Sequence, residues 1–144
     1  MNDLDRNTSS DFAGFIDGFE AKNLAAIERS VSSHLSEIQT RLSVLQVQLS
    51  RLPDSADALE QLAQIDRAFL DSPTVVERLV RSAELLTSLL LQQEDLLRAD
   101  RSVVQHLKGL VRAYIEAAEN SRNERIIDAA LIVAKTIKES ALLE

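Results

Sequence analysis

The chain has 144 residues, of which 45% are hydrophobic and only 3% aromatic, and its formal net charge is −7. With three glycines and two prolines, this composition disfavours both general disorder and a β-rich fold, because strands need frequent turns and favour aromatic residues. The negative charge disfavours nucleic acid as a partner, and the lack of cysteine excludes disulfides, thiolate zinc sites and cysteine nucleophiles.

The N-terminal segment, residues 1–10, is polar, and we expect it to be flexible. It has neither the basic nor the apolar region of a secretory signal, and no apolar run in the chain is long enough to cross a bilayer. We therefore expect a cytoplasmic protein without membrane association. The rest of the chain, residues 11–144, is predicted to form a single helical bundle domain.

The first predicted helix, residues 11–52, carries a narrow leucine-rich stripe. Its apolar residues recur at the two seam positions of about four heptads, a pattern typical of a coiled coil. Serine, glutamine, glutamate and arginine fill most of the other positions. We expect this seam to form an interface with a second copy or with another helical protein. Its members are Leu24, Val31, Leu35, Ile38, Leu42, Leu45, Leu49 and Leu52.

An aromatic segment, residues 12–19, precedes the seam and holds three of the four phenylalanines. Phe12, Phe15, Ile16 and Phe19 share one face of a helix. Two interpretations stay open. We favour aromatic packing at the end of the bundle, because clustered apolar residues usually belong to a core. The alternative is a docking segment that enters a groove on a partner.

Two prolines divide the first half of the chain. Pro53 ends the first helix, because it lacks an amide proton and clashes with the preceding turn. A shorter second helix, residues 56–70, has one apolar face. Ser72 followed by Pro73 then predicts the start of a third helix, with a competing capping box that begins at Thr74.

The third predicted helix, residues 74–119, supports two heptad registers equally well, so its apolar face is wide. A wide face indicates contact with two or more neighbouring helices, as in a bundle. Asp100 interrupts both registers, and we favour a break or kink at residues 98–102. A capping box at Ser121 predicts the last helix, residues 122–143, which also has a broad apolar face.

The helix lengths favour one architecture. A first helix of about 43 residues would span roughly 64 Å and needs a companion along its length. The third helix can supply one by folding back. The sequence therefore predicts an all-α fold, an elongated antiparallel helical bundle or coiled coil with long first and third helices.

The two histidines do not form a recognisable catalytic or metal-binding motif. The run His106-Leu107-Lys108-Gly109 resembles the His-x-x-Lys-Gly motif of histidine phosphotransfer domains, which are also helical bundles. The lysine follows the histidine by two residues rather than three, so it points to the far side of the helix. His34 flanks the seam as a surface residue. We assign no catalytic, cofactor-binding or metal-ligating residue.

The expected function is a non-enzymatic coiled-coil interaction or assembly subunit that forms homo- or hetero-oligomers through its leucine-rich seams. The alternative is a small acidic binding chaperone or adaptor for a client protein, similar in size, acidity and helical content to secretion and flagellar export chaperones. A coat for lipid or polymer granules ranks lower, because interfacial helices usually carry a basic polar face.

Overall fold

The computed structural model describes the backbone of residues 2–143 and the side chains of residues 23–143. The fold is an all-α helical bundle, as predicted, and no strand occurs in the described range. Its helices are α1 (Asn2–Ser50), α2 (Ala56–Asp71), α3 (Val75–Gln92), α4 (Glu94–Arg98), α5 (Arg101–Ser121) and α6 (Glu124–Glu139), followed by a 3-10 turn at Ala141–Leu143.

Helix α1 begins earlier than expected, and the third predicted helix is divided. The backbone is helical from Asn2 rather than from about residue 11. The predicted helix 74–119 consists of three helices, because the chain breaks at Gln93 as well as at Asp100. The expected break at Asp100 is confirmed, since its carboxylate caps α5 by accepting hydrogen bonds from the amides of Ser102 at 2.8 Å and Val103 at 3.2 Å.

The start of α3 corrects one predicted cap. Thr74 is the N-cap, and its hydroxyl accepts a hydrogen bond from the Glu77 amide at 3.2 Å. Ser72 instead closes the end of α2, where its hydroxyl donates to the carbonyl of Ala68 at 2.5 Å. The competing capping box at Thr74 is therefore the correct start signal, and Ser72 as N-cap is wrong.

The start of α6 corrects a second cap. Asn123 is the N-cap, and its side-chain oxygen accepts a hydrogen bond from the Ile126 amide at 3.2 Å. Ser121 is the last residue of α5. Arg122 joins the two helices in the left-handed region, with φ 53°, so the predicted cap at Ser121 is wrong.

The helices pack side by side around one continuous core. Helix α1 lies against α5, α5 against α6, α6 against α3, α3 against α2, and α2 against α1. The pair α1 and α5 is antiparallel, because His34 meets Asn120 while Arg41 meets Gly109. The end of α6 meets α4, where Glu94 accepts a hydrogen bond from the Ala141 amide at 2.8 Å. Because α4 follows directly after the end of α3, this contact brings the ends of α3 and α6 together, and the two helices are therefore parallel.

Candidate functional site

The predicted seam of α1 lies mostly in the core of its own chain. Five of its eight members are buried, and the other three are partly buried and pack against the same core. Helices α5 and α2 cover this face. The buried members are Val31, Ile38, Leu42, Leu45 and Leu49, and the partly buried members are Leu24, Leu35 and Leu52.

This burial limits what the seam can do for a partner. A second chain can reach Leu42 or Leu45 only if α1 separates from α5, which exposes core side chains to water at about 1.5–3 kcal/mol each. An oligomer through the seam stays a prediction that would require such an exchange of helices. The side chains of Phe12, Phe15, Ile16 and Phe19 lie outside the described residues, so the docking interpretation of that segment also stays a prediction.

An accessible groove with apolar lining lies between α3 and α6. It is lined by Val80 and Thr87 from α3 and by Ala129 and Ile132 from α6. Ile132 keeps 55% of its surface exposed. Leu91 lies four residues after Thr87, on the same face of α3, and is 66% exposed. We call these five residues the α3–α6 groove.

The α3–α6 groove exists because two helices that are apolar on a broad face run parallel and leave their outer edges uncovered. Alanine at position 129 is a short side chain and leaves a recess beside Ile132. Three charged side chains border this recess, the carboxylates of Glu84 and Asp128 and the guanidinium of Arg125. The groove is thus an apolar strip with charged margins, a form that suits the apolar face of a helix.

A polar cluster lies on the opposite side of the bundle, where α1 meets α5. His34 and Glu37 come from consecutive turns of α1, and Glu116 and Asn120 come from α5. His34 Nδ1 lies 3.9 Å from a carboxylate oxygen of Glu116. The Asn120 side-chain nitrogen lies 3.2 Å from His34 Nε2. We call His34, Glu37 and Glu116 the interhelical cluster.

An arginine extends the interhelical cluster towards Gly109. The Nε of Arg41 donates a hydrogen bond to Glu37 Oε1 at 3.1 Å. The Arg41 guanidinium then lies against the backbone of α5 at Gly109, where an added Cβ would collide with it. The glycine therefore makes room for a flexible arginine head rather than for close contact between two helix backbones.

The two residues of the phosphotransfer resemblance line different recesses. His106 lines a recess shared with α1, whereas Lys108 lines one that includes Ala141 and Leu142. Lys108 is therefore not placed to contact a phosphate on His106. This placement agrees with the helical geometry expected from their spacing of two residues.

A buried hydroxyl pair joins α3 to α5 inside the core. Tyr114 is 1% exposed and Ser82 is fully buried. The tyrosine hydroxyl donates to Ser82 Oγ at 2.8 Å, and Ser82 donates to the carbonyl of Arg78 at 2.5 Å. Burial raises the pKa of Tyr114 well above its usual range, and the hydrogen bond to Ser82 opposes the rise. The pair is a structural link, since solvent does not reach it.

Sequence reasoning missed both the α3–α6 groove and the interhelical cluster. The only sequence signal for the cluster is the spacing of His34 and Glu37, which places both on one face of α1. Asn120 lies 86 positions from His34, so its proximity follows from the packing of α5. For the groove no sequence signal stands out, because Ile132 lies about 100° around the helix from the buried Val133 and so falls outside the broad apolar face predicted for the last helix.

Within the described part of the chain, no helix combines the length and apolar character that a bilayer span requires. Comparison of the chain with protein-family models, with curated proteins and with solved structures gave no match.

Proposed function

We propose that the protein is a non-enzymatic interaction subunit that binds an amphipathic helix of another protein in the α3–α6 groove. The observation that carries the proposal is the exposure of Ile132 at a recess in the bundle surface, with Leu91 exposed one helical turn beyond Thr87 on the same face of α3. Covering apolar area is worth about 25 cal/mol per Å² removed from water. A partner helix can cover these side chains without any opening of the core.

The margins of the groove favour a partner with basic residues beside its apolar face. Glu84 and Asp128 present carboxylates at the recess, against the single guanidinium of Arg125. Lysines or arginines that flank the apolar stripe of the partner would meet these carboxylates and speed the encounter.

The charge of the chain also favours a different protein over a second copy as the partner. Two copies each carry a formal net charge of −7, and like charges oppose association. The seam of α1 offers a second copy few accessible apolar groups, because α5 and α2 of the same chain already cover it. We therefore assign the assembly role to hetero-association through the groove.

Capture of the partner by matched baits tests this proposal. The baits are the wild-type chain, the double variant L91D/I132D, and the control V47D, which adds a charge at a side chain of α1 that is 50% exposed. All three should melt alike, because surface substitutions usually change stability by no more than about 0.5 kcal/mol. Wild type and V47D should retain one dominant partner that L91D/I132D loses by about tenfold or more.

The partner should then bind in purified form through a basic amphipathic helix. A synthetic peptide of that helix should bind the wild-type chain in calorimetry and bind L91D/I132D about tenfold more weakly or worse. Equal retention of the partner by the double variant would contradict the proposal. So would a wild-type bait that retains no dominant protein, or a self-association that L91D/I132D abolishes.

A small acidic binding chaperone is the second candidate, and the exposed apolar groove on a chain of net charge −7 favours it. The two functions differ in the state of the bound protein. An assembly partner keeps its own fold when released, whereas a client is unfolded at the bound segment. Hydrogen exchange of the captured protein, free and bound, separates the two. A cytoplasmic location stays a prediction.

A further inference from the structure

We propose that His34, Glu37 and Glu116 form a binding site for a divalent cation of the zinc class that joins α1 to α5. One ligand atom from each residue lies within 4.8 Å of the ligand atoms of the other two. The set comes from both helices of one antiparallel pair, so an ion bound there would connect two elements far apart in sequence. This site is independent of the α3–α6 groove.

The donor set selects the class of cation. It offers one imidazole nitrogen and two carboxylates. Magnesium and calcium prefer oxygen ligands alone, whereas zinc accepts imidazole together with carboxylate, commonly as three protein ligands and a water. The lack of cysteine leaves no thiolate to compete for the ion elsewhere in the chain. Zinc is therefore the cation that this set fits best.

The required movement is small. Ligands at about 2.0–2.2 Å from zinc lie about 3.4 Å from one another in a tetrahedron, so the present spacing, within 4.8 Å, must close by at most about 1.4 Å. The carboxylate of Glu116 is 43% exposed, and that of Glu37 is 40% exposed, so both can change rotamer without disturbing the core. His34 is more enclosed, at 20%, and provides the fixed ligand.

Neighbouring side chains orient two of the three ligands. Asn120 contacts His34 Nε2, which leaves Nδ1 facing Glu116. Arg41 binds only Oε1 of Glu37, which leaves the second oxygen free. Such outer contacts hold the ligands of zinc sites in place. With zinc on Nδ1, the ring proton moves to Nε2, so the Asn120 amide must turn its oxygen towards the imidazole.

A zinc titration followed on the two histidines tests the site. Long-range ¹H–¹⁵N spectra of the full chain resolve the imidazoles of His34 and His106, the only histidines present. Zinc should shift the His34 signals and saturate at one equivalent, while His106, which shares a recess with Glu37 and Arg41 but is not a proposed ligand, should shift far less. It should also raise the melting temperature, because a ligand that binds only the folded state stabilises it.

Matched variants assign the ligands. H34A and E116Q should each weaken zinc binding by about tenfold or more, whereas H106A should bind as wild type does. N120D should strengthen binding several-fold, because a carboxylate accepts the Nε2 proton without turning. Melting without zinc shows whether each variant is folded. A His34 signal that does not move at ten equivalents of zinc, or H34A binding zinc as tightly as wild type, would overturn the proposal.

Discussion

Helices α1 and α3 are both rich in leucine, but they meet their surroundings differently. Nine of the 18 residues of α3 are buried, against six of the 28 α1 residues from Asn23 to Ser50. The buried face of α3 is so broad that it includes Ser82, whose hydroxyl lies in the core and needs a hydrogen-bonding partner there. The narrow stripe of α1 leaves polar side chains such as His34 half-buried at the margin. Width of the apolar face thus decides whether a polar group becomes a structural link or an accessible site.

The largest expected effect concerns cavities in the two helices. L86A in α3 and L45A in α1 both remove a fully buried leucine, and such changes cost about 2–5 kcal/mol. L86A should lie near the top of that range and L45A near the bottom, because α1 is open on its outer side and can shift to fill the space. Urea unfolding followed by circular dichroism measures both. An equal or larger cost for L45A would contradict the difference between the two helices.

The next effect concerns the buried hydroxyl pair. S82A should destabilise the fold by about 1–3 kcal/mol, because it leaves the Tyr114 hydroxyl without a partner in the core. Y114F should cost only about 0.5–1.5 kcal/mol, since Ser82 keeps its bond to Arg78. The control S43A removes a similar serine-to-carbonyl bond on the exposed surface of α1 and should be nearly neutral. If S82A lowers the free energy of unfolding no more than S43A does, the structural role of the pair is contradicted.

Alkaline pH should lower the stability of the fold through the same buried tyrosine. Because burial raises the pKa of Tyr114 in the folded state, its contribution to stability is fully present below about pH 10 and is lost above it, where the unfolded tyrosine ionises. Wild type should therefore lose up to about 1.4 kcal/mol per pH unit more than Y114F above pH 10. Urea unfolding of both proteins from pH 8 to pH 11 checks this. Parallel losses in the two proteins would show that Tyr114 ionises in the folded state.

The smallest effect belongs to the open margin of α1. G109A should change stability little, with a gain of no more than about 1 kcal/mol from helix propensity, because the obstacle is the mobile head of Arg41. In an R41A background the full gain should appear. Thermal melting of the single and double variants measures the difference. A loss above about 1 kcal/mol from G109A would mean that the backbones of α1 and α5 are forced apart.

Much of the fold follows from local signals in the sequence. Pro53 and the carboxylate of Asp100 mark real helix ends, since one cannot continue a helix and the other binds free amides. The break at Gln93 carries no proline, glycine or short capping side chain. The heptad pattern therefore continues across it, and the sequence gives no sign of a break there. Ser72 and Ser121 have the composition of caps, but their hydroxyls bond to preceding carbonyls instead.

The sites were harder to foresee, because they depend on which helices become neighbours. The heptad pattern of the α1 seam predicts that it packs against another helix, but it does not specify whether that helix belongs to the same chain or to another. In the structure the companions are α5 and α2. His34 and Glu37 share a face by their spacing, whereas the approach of Glu116 is a consequence of the antiparallel pairing of α1 with α5.

The closure of the α1 seam by helices of the same chain is the central structural feature of the protein. Because the natural chain has no cysteine, spin labels can be placed at S43C on α1 and Q105C on α5, both at exposed positions. Electron–electron resonance should give one short distance, unchanged when labelled chains are unfolded and refolded with a tenfold excess of unlabelled chains. Loss of that distance on dilution would show that α1 pairs with α5 of a second copy and would contradict the account.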